Sequence, residues 1–227
     1  MDTKHIPACI GYIVDGNRRW ARAHNRPTHE GHEAGAQKIR EVIEWSQKKG
    51  VTCAIFYCFS TENWNRSPEE VSALMMLFEK ELAKLVERID ENVRVRFIGD
   101  RTRFSMSTQE HMRMLEEKTA ARTGMTAVIA LSYGGRAEIV RAIARAHEAG
   151  EEVITEEVLS QHLDTSGLPD PDIIVRTSGE QRLSNFLPWQ SVYSELFFID
   201  PYWPDFTEGD FEDILKQYAE RDRRKGT

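Results

Sequence analysis

The stretch Ile13-Val14-Asp15-Gly16-Asn17-Arg18-Arg19-Trp20 takes an apolar run and stops it in a carboxylate, a glycine and two arginines. Residues 10–14 are rich in β-branched and aromatic side chains, and Asp-Gly-Asn is turn chemistry. The acid is therefore expected at a strand-to-helix corner, with Asp15 placed to cap the helix that follows. Arg18, Arg19, Arg22 and Arg26 then crowd the start of that helix, where the positive end of the dipole disfavours cations unless an anion is bound among them. A solvated basic face behind an Asp-Gly turn is the plain alternative, and what the other strands deliver beside this corner decides between the two.

Outward from the corner, strands and helices alternate. A helix predicted over 33–49 turns Ile39, Val42, Ile43 and Ser46 to one face and stops at Gly50. Residues 52–59 read as a buried strand running into Ser60-Thr61-Glu62-Asn63-Trp64-Asn65-Arg66-Ser67-Pro68, a polar loop with an aromatic ring, a carboxylate and an arginine. Ser67 caps the next helix and Pro68 opens it. That helix is expected to reach residue 90, and its stripe of Val71, Leu74, Met75, Phe78, Leu82, Leu85, Val86 and Ile89 either faces a core or lines a cavity for an apolar ligand. A strand over 93–98 and a polar surface helix over 108–122 follow.

Residues 125–131 form another strand, which leads into Ser132-Tyr133-Gly134-Gly135-Arg136, where two glycines free backbone N–H groups to approach an anion. Beyond a helix to 149, a short helix over 155–163 capped by Thr155, and a stiff linker over 167–171, strand 172–175 delivers Arg176 to Asn185. Two arginines, hydroxyls and a glycine in one loop suit a phosphate group. A last strand over 195–199 and a final helix from Glu208 complete the chain. The alternation predicts an α/β fold with a mainly parallel six-stranded sheet and helices on both faces.

The 227 residues, 40% hydrophobic and 30% charged, suffice for one large core, so a single domain over 1–227 is expected. A net charge of −7 argues against a general nucleic-acid binder, since the arginines are clustered on an acidic chain. Cys9, Cys53 and Cys58 lack metal-type spacing and fall in strand-like runs, as reduced core residues do. His29 and His32 have no further soft ligands near them for zinc. No signal segment or bilayer-length apolar run is seen, so a soluble, cytoplasmic protein is expected.

In a parallel sheet ligands bind outside the carboxyl ends of the strands, and four strands deliver polar motifs there. Arg19, Arg66, Arg176 and Arg182 exceed what one monophosphate requires, and Asp15 among them is best explained as a magnesium ligand in a diphosphate site. A phosphohydrolase with Asp15 as nucleophile would need a second acid two residues on, where Asn17 stands. A nucleotide-binding module leaves the aromatic-carboxylate loop at Glu62 to Trp64 unexplained.

Asp15-Gly16-Asn17 with Arg19-Trp20, Gly31-His32, Phe59-Ser60-Thr61-Glu62-Asn63-Trp64, Tyr133-Gly134-Gly135-Arg136, Arg176-Thr177-Ser178-Gly179-Glu180, Arg182-Leu183-Ser184-Asn185-Phe186 and Trp203-Pro204-Asp205-Phe206 resemble, in order and over nearly the whole chain, the motifs of the cis-prenyltransferases. The resemblance implies a magnesium-dependent enzyme that adds isopentenyl diphosphate repeatedly to an allylic diphosphate such as farnesyl diphosphate, each new double bond cis. A short-chain synthase of the same family is the alternative. By position, Asp15 binds magnesium and helps the allylic diphosphate leave, while Gly16, Asn17, Arg18, Arg19, Trp20 and His32 hold that diphosphate. Arg176, Arg182, Leu183 and Ser184 hold isopentenyl diphosphate, and Glu195 completes its magnesium site.

Ser60, Thr61, Glu62, Asn63, Trp64 and Arg66 orient the reacting carbons, with Asn63 at the family's proton-acceptor position. An amide is a poor base, so a diphosphate oxygen is the better acceptor, with Glu62 behind it. Arg18 stands where many bacterial members have glycine, and Thr28 where an arginine is common, with Arg26 two residues away. The stripe from Val71 to Ile89 is expected to line a hydrophobic product tunnel closed by the sheet near Cys58 and Leu131. The partners implied are a second copy of the chain, sharing the terminal Arg224-Lys225-Gly226 between active sites, and a membrane surface touched peripherally when the lipid product is released.

Overall fold

The computed structural model describes residues 6–88 and 92–221. The run before Asp15 is strand β1 (Cys9–Ile13), buried along its length, and the helices α1 (Asn17–Ala23) and α2 (Thr28–Lys49) follow it. Next come β2 (Cys53–Ser60), a 3-10 turn at Thr61–Asn65, α3 (Pro68–Arg88), β3 (Arg94–Ile98), α4 (Met106–Thr119) and β4 (Thr126–Tyr133). The chain continues through α5 (Gly135–Glu148), α6 (Glu156–His162), β5 (Ile173–Arg176), β6 (Glu195–Phe198) and α7 (Glu208–Glu220). The six strands form one sheet in the order β3-β4-β2-β1-β5-β6, with every neighbouring pair parallel.

Period-two alternation sorts the strand side chains between the faces. Ile10, Tyr12, Ala54 and Phe56 pack against Val42 and Trp45 of α2 and Phe211, Ile214 and Tyr218 of α7. On the same side Val95, Phe97 and Leu131 meet Leu74 and Leu82 of α3 and Met112 and Leu115 of α4. Cys9, Ile13, Ile55, Val128 and Ala130 face the other way, toward Phe186 and Leu187. Arg96 shares that second face and donates to the carbonyls of Asp164 and Ser166, just past α6, which places the α5–α6 pair there. No helix among the described residues is long and apolar enough to cross a membrane.

The side-chain caps read from the sequence at Ser67 and Thr155 are present, and Ser105 adds a third. Ser67 accepts from Glu70 N at 3.3 Å, Ser105 from Thr108 N at 3.1 Å and Thr155 from Val158 N at 3.2 Å. One boundary changes. α2 begins at Thr28 instead of Glu33, because Gly31 and Gly35 hide its first turns from a propensity count while letting α1 lie close. β6 is parallel like the rest, with Glu195 beside Ile173 at the amino-terminal end of the sheet.

Candidate active site

Because the strands are parallel, Ile13, Ser60, Tyr133 and Arg176 all end at one edge of the sheet. A 1520 Å³ cavity opens there, and its wall contains Asp15, Gly16, Asn17, Arg18, Arg19, His32, Ser60, Glu62, Asn63, Arg66, Arg176, Arg182 and Ser184. The motifs read from four separate stretches of chain therefore share one space.

Asp15 does not cap α1. The N-cap is Gly16, in the left-handed region at φ 105, and it makes no side-chain cap bond. A Cβ there would also lie 2.9 Å from the Tyr202 ring, so backbone conformation and space both require glycine. The Asp15 carboxylate turns to two guanidiniums, accepting from Arg176 Nη2 at 2.9 Å and lying 3.3 Å from Arg19 Nη2. Thr177 locks the backbone beneath it, accepting from Asp15 N at 3.1 Å and donating to Asp15 O at 2.7 Å. Arg176 is nearly buried and also donates to Ser184 Oγ at 2.8 Å, while its Nε is buried with no partner.

The remaining arginines are held by carboxylates that sequence reasoning did not assign. Arg18 and Arg66 converge on Glu70, at 3.2 and 2.9 Å, and Arg19 and Arg182 converge on Glu180, at 3.5 and 2.5 Å. Arg66-to-Glu70 is an i,i+4 spacing that could have signalled the first group; in the second, Arg182 and Glu180 are two residues apart, while Arg19 reaches Glu180 across the site. Each carboxylate balances two cations singly, whereas a diphosphate offers more charge and several acceptor oxygens and so competes well for the same forks.

Glu62 is fixed by two side chains. It accepts from Asn185 Nδ2 at 3.0 Å and from the Thr61 hydroxyl at 3.1 Å. Burial raises its pKa, but bonds from its own N–H, Asn185, Ser60 and Thr61 outweigh that and leave it below the usual carboxylate range. Asn63 accepts from Ser60 N at 3.1 Å through Oδ1, so its carbonyl oxygen is already engaged and the amide N–H is what it has left to offer. His32 has a buried, unpartnered Nε2, and its pKa falls to about 4 through burial, with Arg66 and Arg18 adding to the effect.

The Gly134-Gly135 corner corrects an expectation. Its N–H groups do not face an anion: Gly135 N donates to Asn185 O at 2.8 Å and Arg136 N to Asn185 Oδ1 at 2.9 Å. A Cβ on Gly135 would lie 2.0 Å from Pro188 Cδ, so glycine is needed for close packing of the 185–188 segment. Asn185 thus ties β4, the arginine loop and Glu62 together, and it lines the cavity.

Five sequence-predicted residues are not in the cavity wall. Trp20 donates to Asp205 at 2.7 Å, and Leu183 packs against the Phe186 cluster. Thr61 acts on Glu62, as above. Trp64 stacks edge-on against Phe59 and Phe104 and donates to Ser132 Oγ at 2.9 Å. Glu195 pairs with Arg221 at the far end of the sheet and does not meet Asp15 within one chain, because β6 runs parallel.

A second cavity of 300 Å³ continues from the first, sharing Val14, Asn17, His32, Cys58, Leu74 and Leu77 as common wall. It runs between α2, α3 and the sheet, past Phe78, Leu82, Leu85, Ile129 and Leu131. Magnesium asks for carboxylate oxygens, with substrate phosphates completing its shell. Asp15, 29% exposed on the wall between the arginine groups, supplies such an oxygen, and the buried Asn17 Oδ1 has no partner. No cluster of three His, Cys, Asp or Glu occurs among the described residues, so further ligands would come from substrate.

Residues 13–226 match the family model described as "Putative undecaprenyl diphosphate synthase". An isoprenyl transferase of Thermus thermophilus is 46% identical over 234 residues, covering 97% of this chain and 89% of the relative. The farnesyl-diphosphate-specific ditrans,polycis-undecaprenyl-diphosphate synthase of Escherichia coli is 43% identical, covering 96% and 88%. Among solved structures, lavandulyl diphosphate synthase from Lavandula x intermedia, crystallised with dimethylallyl diphosphate, superposes with a TM-score of 0.91 at 33% identity, covering 99% of this chain and 100% of that one.

Proposed function

The chain is a prenyltransferase of the undecaprenyl diphosphate synthase family, and from that premise we propose that it condenses isopentenyl diphosphate with an allylic diphosphate, farnesyl diphosphate being the primer that fits best, to give a cis-polyprenyl diphosphate. One observation carries the reading: two arginine groups flank Asp15 at a mouth that continues into an apolar cavity. Arg18 and Arg19 on one side, and Arg176, Arg182 and Ser184 on the other, suit two diphosphates, while the cavity suits the hydrocarbon of only one. That asymmetry fits a growing allylic chain and a small homoallylic donor.

In each cycle a carbon–carbon bond forms between the donor alkene and the allylic carbon, the allylic C–O bond breaks, and a proton is lost from the donor. Arg18, Arg19 and His32 hold the allylic diphosphate, and preorganised cations at the departing oxygen supply most of the rate gain. Magnesium bound at Asp15 would add Lewis-acid stabilisation of that leaving group. Glu62, kept ionised by its bonds, orients the substrate; a diphosphate oxygen takes the proton, and Asn63, its carbonyl oxygen engaged by Ser60 N, donates through its amide N–H. The length of the apolar cavity, reaching Leu85 and Val93, favours a long product over a short one. A homodimer in the cytoplasm, touching the membrane surface when product leaves, is the setting this reading implies.

The test is incubation with farnesyl diphosphate and labelled isopentenyl diphosphate, with and without magnesium, the products resolved by chain length. Magnesium-dependent polyprenyl products are expected. Release of prenol without elongation, or elongation indifferent to chelation of the metal, would refute the proposal.

A further inference from the structure

The Arg19 guanidinium meets four groups of two kinds among the described residues. Two are carboxylates, Asp15 at 3.3 Å and Glu180 at 3.5 Å, whose hold on the guanidinium a bound diphosphate contests. The other two are neutral. Arg19 Nη1 donates to Ser178 O at 3.2 Å, and the guanidinium carbon lies 5.9 Å from the centre of the Tyr202 ring, within range of a cation–π contact. Neither Ser178 nor Tyr202 is part of the wall of the 1520 Å³ cavity, so neither competes with a ligand there.

The backbone builds this neutral pair in. Ser178 sits at φ 81, the largest positive value of any non-glycine among the described residues. Such a conformation persists where the surroundings over-determine it, and two bonds to the segment after β6 do so: Ser178 N donates to Pro201 O at 2.8 Å and Gly179 N to Ile199 O at 2.9 Å. Ser178 Oγ is buried without a partner, so what the strained residue gives Arg19 is its carbonyl and not its hydroxyl. Tyr202 is anchored through the next residue. Trp203 is fully buried, donating from its backbone to Asp15 O at 3.0 Å and from Nε1 to Gly35 O at 2.9 Å. The Tyr202 ring itself lies against Gly16, where a side chain would stand.

We propose that Ser178 and Tyr202 are positioning residues that set the Arg19 guanidinium toward the allylic diphosphate before substrate arrives and keep it there once the carboxylates give way. This rests on the functional reading above. A guanidinium carries five donors in a planar fork, so a ring on its face and one carbonyl on its edge leave donors free for phosphate oxygens. A long side chain that a ligand must first order loses affinity to that ordering; one already held does not.

A double-mutant cycle decides the matter, read by titration with farnesyl diphosphate and magnesium, with isopentenyl diphosphate omitted so that no turnover intervenes. Tyr202→Leu keeps apolar bulk against Gly16 and removes the ring face, and is expected to weaken binding by about 3–10-fold. In an Arg19→Ala background the same substitution should weaken it by less than about twofold, because the group it acts through is gone. Tyr202→Phe, which keeps the ring, should bind like the unaltered chain, and Tyr202→Met gives the same readout as Tyr202→Leu should that variant fold poorly. In steady-state kinetics Tyr202→Leu should raise KM for the allylic diphosphate and leave KM for isopentenyl diphosphate in place. Equal losses in both backgrounds, equal rises in the two KM values, or a Tyr202→Phe variant as impaired as Tyr202→Leu would overturn the proposal while leaving the enzyme assignment intact. Failure of the unaltered chain to bind farnesyl diphosphate would overturn the functional reading and this proposal together.

Discussion

Asp15 holds Arg19 and Arg176 in a site whose proposed ligands compete with it for the same guanidiniums. Removing it frees two cations for diphosphate while abolishing the carboxylate that suits magnesium. Asp15→Ala is therefore expected to lose turnover by at least about 100-fold, the scale of lost charge stabilisation at a leaving group, while farnesyl diphosphate binds as well as before or better. Steady-state kinetics beside a binding titration would check this, and parallel losses in both would assign Asp15 to substrate affinity. Asn185 acts through its neighbour. Asn185→Ala removes a hydrogen bond to an ionised group worth ~1.5–3 kcal/mol and should lower kcat by about 10–100-fold. It should also move the acid limb of the pH profile upward as Glu62 loses a bond that favours its charge; an unmoved limb would leave Asn185 a merely structural residue. His32 titrates at about 4 in the folded chain against 6.5 when exposed, so the unfolded chain binds the extra proton between those values. Stability from this group is fully present above pH 6.5 and is lost as pH falls toward 4. Between neutrality and pH 5 the loss should approach ~2 kcal/mol, and His32→Gln should flatten that part of the denaturation profile.

At the scale of elements, the α3 stripe was legible as a stripe and not as two surfaces. Leu74, Phe78, Leu82 and Leu85 line the cavity while also packing in the Phe59 and Phe104 cluster, whereas Met75 and Val86, one position round, pack in that cluster without lining the cavity. Leu77, outside the predicted stripe, proves to join the two cavities. Helical periodicity identifies an apolar arc but is blind to whether side chains or empty space lie opposite it. The Gly134-Gly135 corner was misread for a related reason, since what occupies the missing Cβ volume is Pro188, far along the chain. The caps at Ser67 and Thr155 were legible because each bonds an N–H only three residues on. Cys58 lies on both cavity walls, with its thiol neutral, pushed up to about 12 by burial. Cys58→Leu should shorten the main product by filling space the growing chain would occupy, with stability changed by about 1–3 kcal/mol. Chromatography of products against length standards reads the outcome, and an unchanged distribution from a folded, active variant would place the chain elsewhere.

Across the whole molecule, strand–helix alternation was enough to give a parallel sheet with its chemistry at the carboxyl edge, and only Glu195 falls outside that scheme. It begins β6, the outermost strand, with Ile173 beside it and the ring of Phe197 lying under the Arg221 guanidinium that pairs with it. The described chain thus ends at the opposite edge from its own Asp15. The predicted Arg224-Lys225-Gly226 motif lies outside the described residues, so what bears on it is where the chain departs. There β6 has one unpaired side, and the nearby Val192, Tyr193 and Leu196 are exposed apolar residues. An open strand edge with apolar flanks is a natural seat for a second copy, and a two-fold axis would carry each tail toward its neighbour. A tail arginine reaching a bound diphosphate in that neighbour gains a charge-assisted pair it lacks in water. Complementation separates sharing from self-supply: an Asp15→Ala subunit is mixed with one truncated after Asp222, each inactive alone. Under sharing, half the exchanged dimers are mixed, and one site in each combines an intact Asp15 with a tail from the other subunit, so activity should return to about one quarter of that of the unaltered protein. No recovery despite subunit exchange shown by differently tagged chains would mean that each subunit completes its site with its own tail.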